Sequence, residues 1–353
     1  MPARQHRSPP RSSTNGQAWS APVTVGQGGT GAAVALAANG RAVVVWVGGT
    51  ATAPVIQASA QAPGGAWSAP VTVGGDARAP VIGIDGSGNA IIAWEGSTGT
   101  GATGPVYTAS LPAGGTWTAV KTLTPVGGPV HMAVNSAGSV IIAWGEEASA
   151  AVADSGTVLG GFAAPVTVGP STYGHKLGKP QVALNTAGQA VLAWATGGNN
   201  AIAATRSANG TWSIPAPLSC GYAFATAIDG AGDAIVLCEE GTINAQGQPV
   251  VSYYATRLPA GGTRATPVLL TSDFLTGTIY AVADAAGTFV VAYADVTTDT
   301  VTVLTSPPGG GFGPAATFPD SIFEIDNLNI APGRATLVWD TSSGAFESTE
   351  PVS

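Results

Sequence analysis

One unit of about 48 residues, written seven times, constrains this chain more than any other feature. Half of the unit opens on an aromatic: Trp19-Ser-Ala-Pro-Val-Thr-Val, Trp67-Ser-Ala-Pro-Val-Thr-Val and Phe162-Ala-Ala-Pro-Val-Thr-Val, with shorter forms at Trp117, Trp212 and Phe312. The other half is an apolar hairpin, clearest in Val81-Ile-Gly-Ile-Asp-Gly-Ser-Gly-Asn-Ala-Ile-Ile-Ala-Trp94. Its final aromatic recurs at Trp46, Trp94, Trp144, Trp194, Tyr293 and Trp339, with Cys238 in that place once. The successive steps are 48, 50, 50, 44, 55 and 46 residues. Self-similarity at such a period belongs to arrays that bury their apolar faces against copies of themselves.

Each copy reads as four short strands, A to D. In the second copy they fall near 79–85, 89–95, 104–111 and 117–123, rich in β-branched residues and bounded by Gly, Pro or Asn. Asp85-Gly-Ser-Gly88 is a tight turn in which the acid caps its own backbone and glycine supplies a positive φ; Asn135, Asn185, Asp229 and Asp284 recur at the same place. Four strands repeated seven times predict an all-β, seven-bladed β-propeller of four-stranded antiparallel blades. The chain opens on a D strand near 17–25 and ends on A, B and C strands near 326–350. The N-terminal strand is therefore expected to complete the last blade, which removes an open sheet edge. Residues 1–16 read as a disordered tail and 17–353 as one propeller domain. The recurrent tryptophans are expected to be core between blades, not ligand platforms.

Composition narrows the function classes. With 12 Lys+Arg against 20 Asp+Glu the net charge is −8, which argues against nucleic acid or an anionic membrane as partner. Charged residues make up 9% and hydrophobic residues 45%, which excludes a disordered chain, and no apolar run reaches a membrane span.

The aromatic segment combined with the Asp-x-x-Gly-x-Ala-x-x-x-Trp hairpin resembles repetitive bacterial seven-bladed β-propeller proteins, loosely sialidase-like in architecture and often secreted or surface-displayed. The resemblance covers about residues 17–350 and implies the propeller fold. It does not extend to sialidase catalysis. The Asp box, Ser/Thr-x-Asp-x-Gly-x-Thr-Trp, is absent, and so is the arrangement of three arginines that would clamp a carboxylate. Of nine arginines, Arg4, Arg7 and Arg11 lie in the tail, and Arg41, Arg206, Arg257, Arg264 and Arg334 fall toward the A–B and C–D turns. Only Arg78 belongs to a D–A connection.

The D–A and B–C connections share one side of a propeller, and they are the longer, more variable loops here. Binding residues on a rigid scaffold concentrate in such loops. Glu95, Glu239 and Asp340 directly follow the last residue of the hairpin motif, and Glu146 and Asp295 follow one residue later. Together with Arg78, Glu147 and Glu240 they predict an acidic face suited to a cation, an amine-bearing ligand, carbohydrate or a basic protein segment. The D–A loop Gly169–Lys179 adds Tyr173, His175 and Lys176, which could bond a sugar or an anion, with His175 as a candidate base.

Three functions follow: a non-catalytic carbohydrate- or cell-surface-binding module, a glycosidase or polysaccharide lyase, or a purely structural propeller. For the enzyme, catalytic candidates are Glu95, Glu147, Glu239, Asp295 and His175. Two carboxyls must then stand about 5–5.5 Å or about 6.5–9.5 Å apart, which favours Glu95 with Glu147, or Glu239 with Asp295, from neighbouring blades. The non-catalytic module is the expectation.

No cofactor is expected, although the acidic mouth would suit Ca²⁺. His131 has no His or Cys at ligand spacing. If the Asp229 turn closes a regular hairpin, Cys220 and Cys238 stand about 13 Å apart at ~3.3 Å per residue, so no disulfide is expected. Met1 to Gly16 contain no apolar secretory core. Either the protein is intracellular or a leader is missing from this sequence; the low-charge body points to the second, a secreted or surface protein, expected as a monomer.

Overall fold

The computed structural model describes residues 23–96, 104–146, 150–170, 180–196, 200–243, 247, 249–272, 279–295, 298, 300–319, 322–331, 334–341 and 344–351. Every regular element among them is a strand, and no helix is long and apolar enough to cross a membrane.

The strands form consecutive antiparallel sheets. The first holds β1 (Thr30–Leu36), β2 (Ala42–Thr50), β3 (Ala53–Gln61) and β4 (Val71–Gly75). The second holds β5 (Arg78–Ile84), β6 (Ala90–Glu95), β7 (Gly104–Leu111) and β8 (Lys121–Gly127). The third is β9 (Val130–Val134), β10 (Ser139–Glu146), β11 (Ala150–Thr157) and β12 (Val166–Pro170). The fourth is β13 (Gln181–Leu184), β14 (Ala190–Thr196), β15 (Asn200–Arg206) and β16 (Ala216–Pro217). The fifth is β17 (Tyr222–Ile228), β18 (Ala234–Ile243), β19 (Pro249–Leu258) and β20 (Val268–Thr271). The sixth is β21 (Tyr280–Ala283), β22 (Phe289–Asp295), β23 (Thr300–Ser306) and β24 (Ala316–Pro319). A three-stranded sheet follows, β25 (Ile322–Ala331), β26 (Arg334–Thr341) and β27 (Gly344–Pro351). The chain divides into two compact units, and the boundary between Ala223 and Phe224 falls inside β17.

The second strand of each sheet explains the repeat. β6 is Ala-Ile-Ile-Ala-Trp-Glu, apolar without alternation, because both of its faces are covered. Ile92 and Trp94 pack toward the first sheet with Val45, Ile56 and Ala58. Ile91 and Ala93 pack the other way, toward Ile142 and Trp144 of the third. Ile141 and Ala143 continue the series toward Leu192 and Trp194. Within the second unit, Ile235 and Leu237 meet Phe289, Val291 and Tyr293, while Val290 and Ala292 meet Leu328 and Leu337. Trp94, Trp144 and Trp194 are fully buried, as expected for core.

The A–B turns follow their sequence. Asp85 Oδ1 accepts the amides of Ser87 and Asn89, each at 2.9 Å, and Gly88 takes φ 85°. Asn135 does more than cap its own turn: its side-chain amide donates to the Asn185 carbonyl at 2.8 Å, linking the turns of the third and fourth sheets.

Two expectations need correction. The fourth strand of the second sheet runs over Lys121–Gly127, not 117–123. The opening aromatic makes only an isolated bridge in other copies, such as Trp67 with Gln61, before the chain leaves the ladder. In that copy and two others a proline without an N–H, Pro70, Pro165 or Pro215, stands in the gap or at its edge. Second, Cys220 and Cys238 form a disulfide. The 13 Å expectation assumed extended chain, whereas residues 219–221 bend and Ser219 takes φ 59°, so strand arithmetic does not apply.

Asp154 departs from its repeat. It stands opposite Ile142, where other copies place Ala109 opposite Ile92 and Ala204 opposite Leu192. The residue is 3% exposed and its Oδ1 has no hydrogen-bond partner. Burial raises its pKa to about 6, against a modest opposing bond from the Ser155 amide.

Two stability predictions follow from these features. Reducing the disulfide, which closes a loop close to the length for which chain entropy gives about 3 kcal/mol, is expected to lower unfolding stability by about that amount. Denaturant titration with and without reductant measures it, and coincident midpoints would contradict it. Asp154 binds its proton more tightly folded than unfolded, so its stabilising contribution is complete below about pH 4 and lost as pH rises through about 6. Asp154→Asn is expected to match the native chain near pH 4 and exceed its stability at pH 7 by up to about 3 kcal/mol. A pH series of unfolding curves tests this, and parallel curves for the two proteins would refute it.

Candidate functional site

Each second strand ends where the chain crosses to the third strand of its sheet. Across the series the position just past the motif's last residue is Val47, Glu95, Gly145, Ala195, Glu239, Ala294 and Asp340. The next position is Gly48, Gly96, Glu146, Thr196, Glu240, Asp295 and Thr341. The repeat thus sets six carboxylate-bearing residues in the two positions after the motif: Glu95, Glu146 and Asp295 close their strands, whereas Glu239 and Glu240 lie within β18, which runs on to Ile243.

Glu95 is the most closely defined of them. It closes β6, is 3% exposed, and pairs through its backbone with Val106 on one side and Arg78 on the other. Its Oε1 accepts Nη2–H of Arg78 at 2.6 Å, while 45% of the Arg78 side chain remains exposed. Regular pairing outward from Ile84 opposite Ala90 would set Ala79 against Glu95. A bulge between Arg78 and Val81 shifts the register by one and brings Arg78 there instead. Two non-glycine residues flanking Arg78 take left-handed backbone, Asp76 at φ 50° and Ala79 at φ 45°. The Asp76 carboxylate lies beside Gly96, where an added Cβ would fall 2.8 Å from Asp76 Oδ2.

Glu239 and Glu240 lie in β18 opposite Tyr253 and Ser252, both half-buried. Burial raises the pKa of Glu239. Tyr253 packs on Phe224, with ring centroids 6.1 Å apart. Asp295 closes β22 opposite Thr300, is buried, and accepts the Thr298 amide at 3.2 Å. Glu146 closes β10 opposite Ala150, and Asp340 in β26 is opposite Glu324 and Ala345; their description is of backbone only. Glu147, Tyr173, His175 and Lys176 lie outside the described residues.

The structure therefore brings two of the expected site residues, Arg78 and Glu95, into direct contact. That ion pair went unread in the sequence because a bulge, not the alternation of the strand, creates it. The available signal was the first copy, which carries Gly28 and Gly31 where the second has Asp76 and Ala79. His131 has a structural contact: its Nδ1 accepts the Val182 amide at 3.2 Å, joining the first strands of the third and fourth sheets. Among the described residues no group of three or more His, Cys, Asp or Glu is placed to hold a metal ion.

The sequence matches no protein-family model and no curated protein. Similarity appears in three dimensions. The BP39L lectin from Burkholderia pseudomallei superposes with a TM-score of 0.59 at 13% identity, over 90% of this chain and 95% of the lectin. The polysaccharide lyase Uly1 superposes with a TM-score of 0.56 at 10% identity, over 97% of this chain and 94% of the lyase. At these identities the likeness is one of fold alone: a propeller-like series of repeated four-stranded antiparallel sheets.

Proposed function

We propose that the sheets are the blades of one seven-bladed propeller, and that residues 17–25 supply the fourth strand of the β25–β27 blade. Three observations support this reading. Trp19-Ser-Ala-Pro-Val-Thr-Val repeats the segments that lead into β4 and β12. Gly26 lies against the Trp46 indole as Gly74 lies against Trp94 and Gly169 against Trp194. Val34 and Leu36 of β1 are 62% and 69% exposed, whereas their counterparts Ile82 and Ile84 are half-buried, so an apolar strand face awaits a neighbour. Deleting residues 1–16 is expected to leave the thermal midpoint unchanged, and deleting 1–25 to lower it by several degrees, since each kcal/mol is worth about 2–4 °C or less in a chain of this size. Equal midpoints for the two truncations would remove the closure.

On that scaffold we infer a secreted or cell-surface, monomeric binding module that recognises carbohydrate through the D–A and B–C loop face, without catalysis. The observation that carries this reading is the Arg78–Glu95 pair. It converts the buried carboxylate at that end of the second sheet from a free acid or base into a fixed hydrogen-bonding group. The lectin and the polysaccharide lyase that share the fold support a carbohydrate ligand, and the Cys220–Cys238 disulfide suits an oxidising compartment. A basic protein segment is the alternative partner for the acidic face, and Ca²⁺ the ion it would favour.

One observation favours an enzyme instead. Glu239, its pKa raised by burial, holds its proton to higher pH than an ordinary carboxyl, as a glycosidase acid must. A glycan array read with and without Ca²⁺, followed by incubation of each bound glycan with native and Glu239→Gln protein, separates the readings. Binding without turnover is expected. Turnover lost on Glu239→Gln replacement establishes the enzyme, and absence of binding in both conditions ends the carbohydrate reading.

A further inference from the structure

We propose that Asp76, Arg78 and Glu95, at one corner of the second sheet, form a subsite for a neutral sugar held through two adjacent hydroxyls. The inference rests on the carbohydrate-binding reading and names its site and ligand class.

The repeats supply an internal control. The first and second copies are offset by 48 residues, which aligns Gly28 with Asp76, Thr30 with Arg78, Gly31 with Ala79 and Val47 with Glu95. The backbone is the same in both. Thr30 pairs with Val47 and a bulge follows before Ala33; Arg78 pairs with Glu95 and a bulge follows before Val81. Gly28 and Gly31 take φ 64° and 59°, close to the 50° and 45° of Asp76 and Ala79. In the third copy, offset by 50, the three charged positions become Val126, Gly128 and Gly145, and neither the register shift nor the left-handed backbone is there. The first copy builds this corner without charge. Among the described residues only the second copy puts an ion pair there, and it does so on left-handed backbone that glycine would adopt freely and alanine does not. Strain retained together with charge that the scaffold does not require marks a functional corner.

The chemistry indicates the ligand. A guanidinium has five N–H donors. One is committed to Glu95, and with nearly half the side chain exposed the others remain available at a fixed position. Asp76, exposed and beside Gly96, adds a carboxylate acceptor on the same corner. Each sugar hydroxyl both accepts and donates, so neighbouring hydroxyls can accept from Arg78 and donate to Asp76 together. The formal charge of the three groups sums to −1 in a chain of net −8, which disfavours uronate or sulfated sugars. Because Glu95 holds the guanidinium beforehand, little side-chain entropy is lost on binding.

The test compares neutral and uronic-acid oligosaccharides on one array, with affinities measured by titration calorimetry. The variants are the double change Arg78→Thr with Glu95→Val, and the double change Asp76→Gly with Ala79→Gly, each installing the first copy's residues. The native chain is expected to bind neutral sugars. The first variant should fold with an unchanged midpoint and bind roughly tenfold or more weakly, the loss expected for a charge-assisted hydrogen bond. The glycine variant should melt higher yet bind less tightly, a combination that a merely structural role does not produce. Undiminished neutral-sugar binding in the first variant would place the site elsewhere and leave the carbohydrate reading standing. Undiminished binding in the glycine variant would remove Asp76 from the subsite. Binding confined to uronates and lost without Arg78 would overturn the ligand class, and a native chain that binds neither set would take down the carbohydrate reading itself.

Discussion

The structure depends on burying one strand per sheet from both sides. Ile92 and Trp94 face one neighbour while Ile91 and Ala93 face the other, and the pattern continues through Ile141, Ile142, Leu192 and the equivalent residues of the second unit. Such a strand satisfies its backbone within its own sheet and its side chains only between sheets. No sheet of this kind is stable alone, since each leaves two apolar faces for its neighbours to cover. That requirement explains why the chain repeats, why the indoles recur at one position, and why Gly26, Gly74 and Gly169 are glycine: a Cβ at any of them would run into the indole.

The same requirement determines what can be read without coordinates. Features repeated in register are legible because every copy restates them. The Asp85 turn, the apolar run to Trp94, and three of the four strand positions in the second copy all come out within a residue or so of the structure. Features confined to one copy are not. The late start of the fourth strand is an exception that does repeat, since the aromatic makes an isolated bridge in three copies. It escapes notice because aromatic and β-branched residues run on through a gap in the ladder. The disulfide forms because residues 219–221 bend where strand arithmetic assumes extension. Asp154 sits in a position that the second and fourth copies fill with alanine and the others with Ser59, Thr256, Leu304 and Ser348, and no local pattern announces a buried acid.

The candidate site divides along the same line. The repeat places Glu95, Glu239 and Asp340 directly after the motif's last residue, so their shared position is legible. Their chemistry depends on a second residue that the repeat does not dictate. Seventeen positions before Glu95 stands Arg78, and seventeen before Glu239 stands Tyr222. Where the cation is present the carboxylate is a fixed partner in an ion pair; at Glu239 burial raises the pKa. Equivalent positions therefore carry one group suited to hold a ligand and another suited to hold a proton.

Stability does not account for Arg78 and Glu95. A charge pair with one member buried gives up hydration on both sides, and apolar residues of similar size commonly serve a fold as well. Thr30 with Val47 does so here, on the same bulged backbone. Removing only Arg78 would leave Glu95 buried without its counter-charge, and the resulting loss would measure desolvation, not the value of the pair. The informative comparison is with the first copy, where both members are neutral and both left-handed positions are glycine. Measured against that copy, the second accepts backbone strain and a desolvated carboxylate together. What it gains is a guanidinium fixed at the strand end and still partly open to solvent, the group on which the proposed subsite rests.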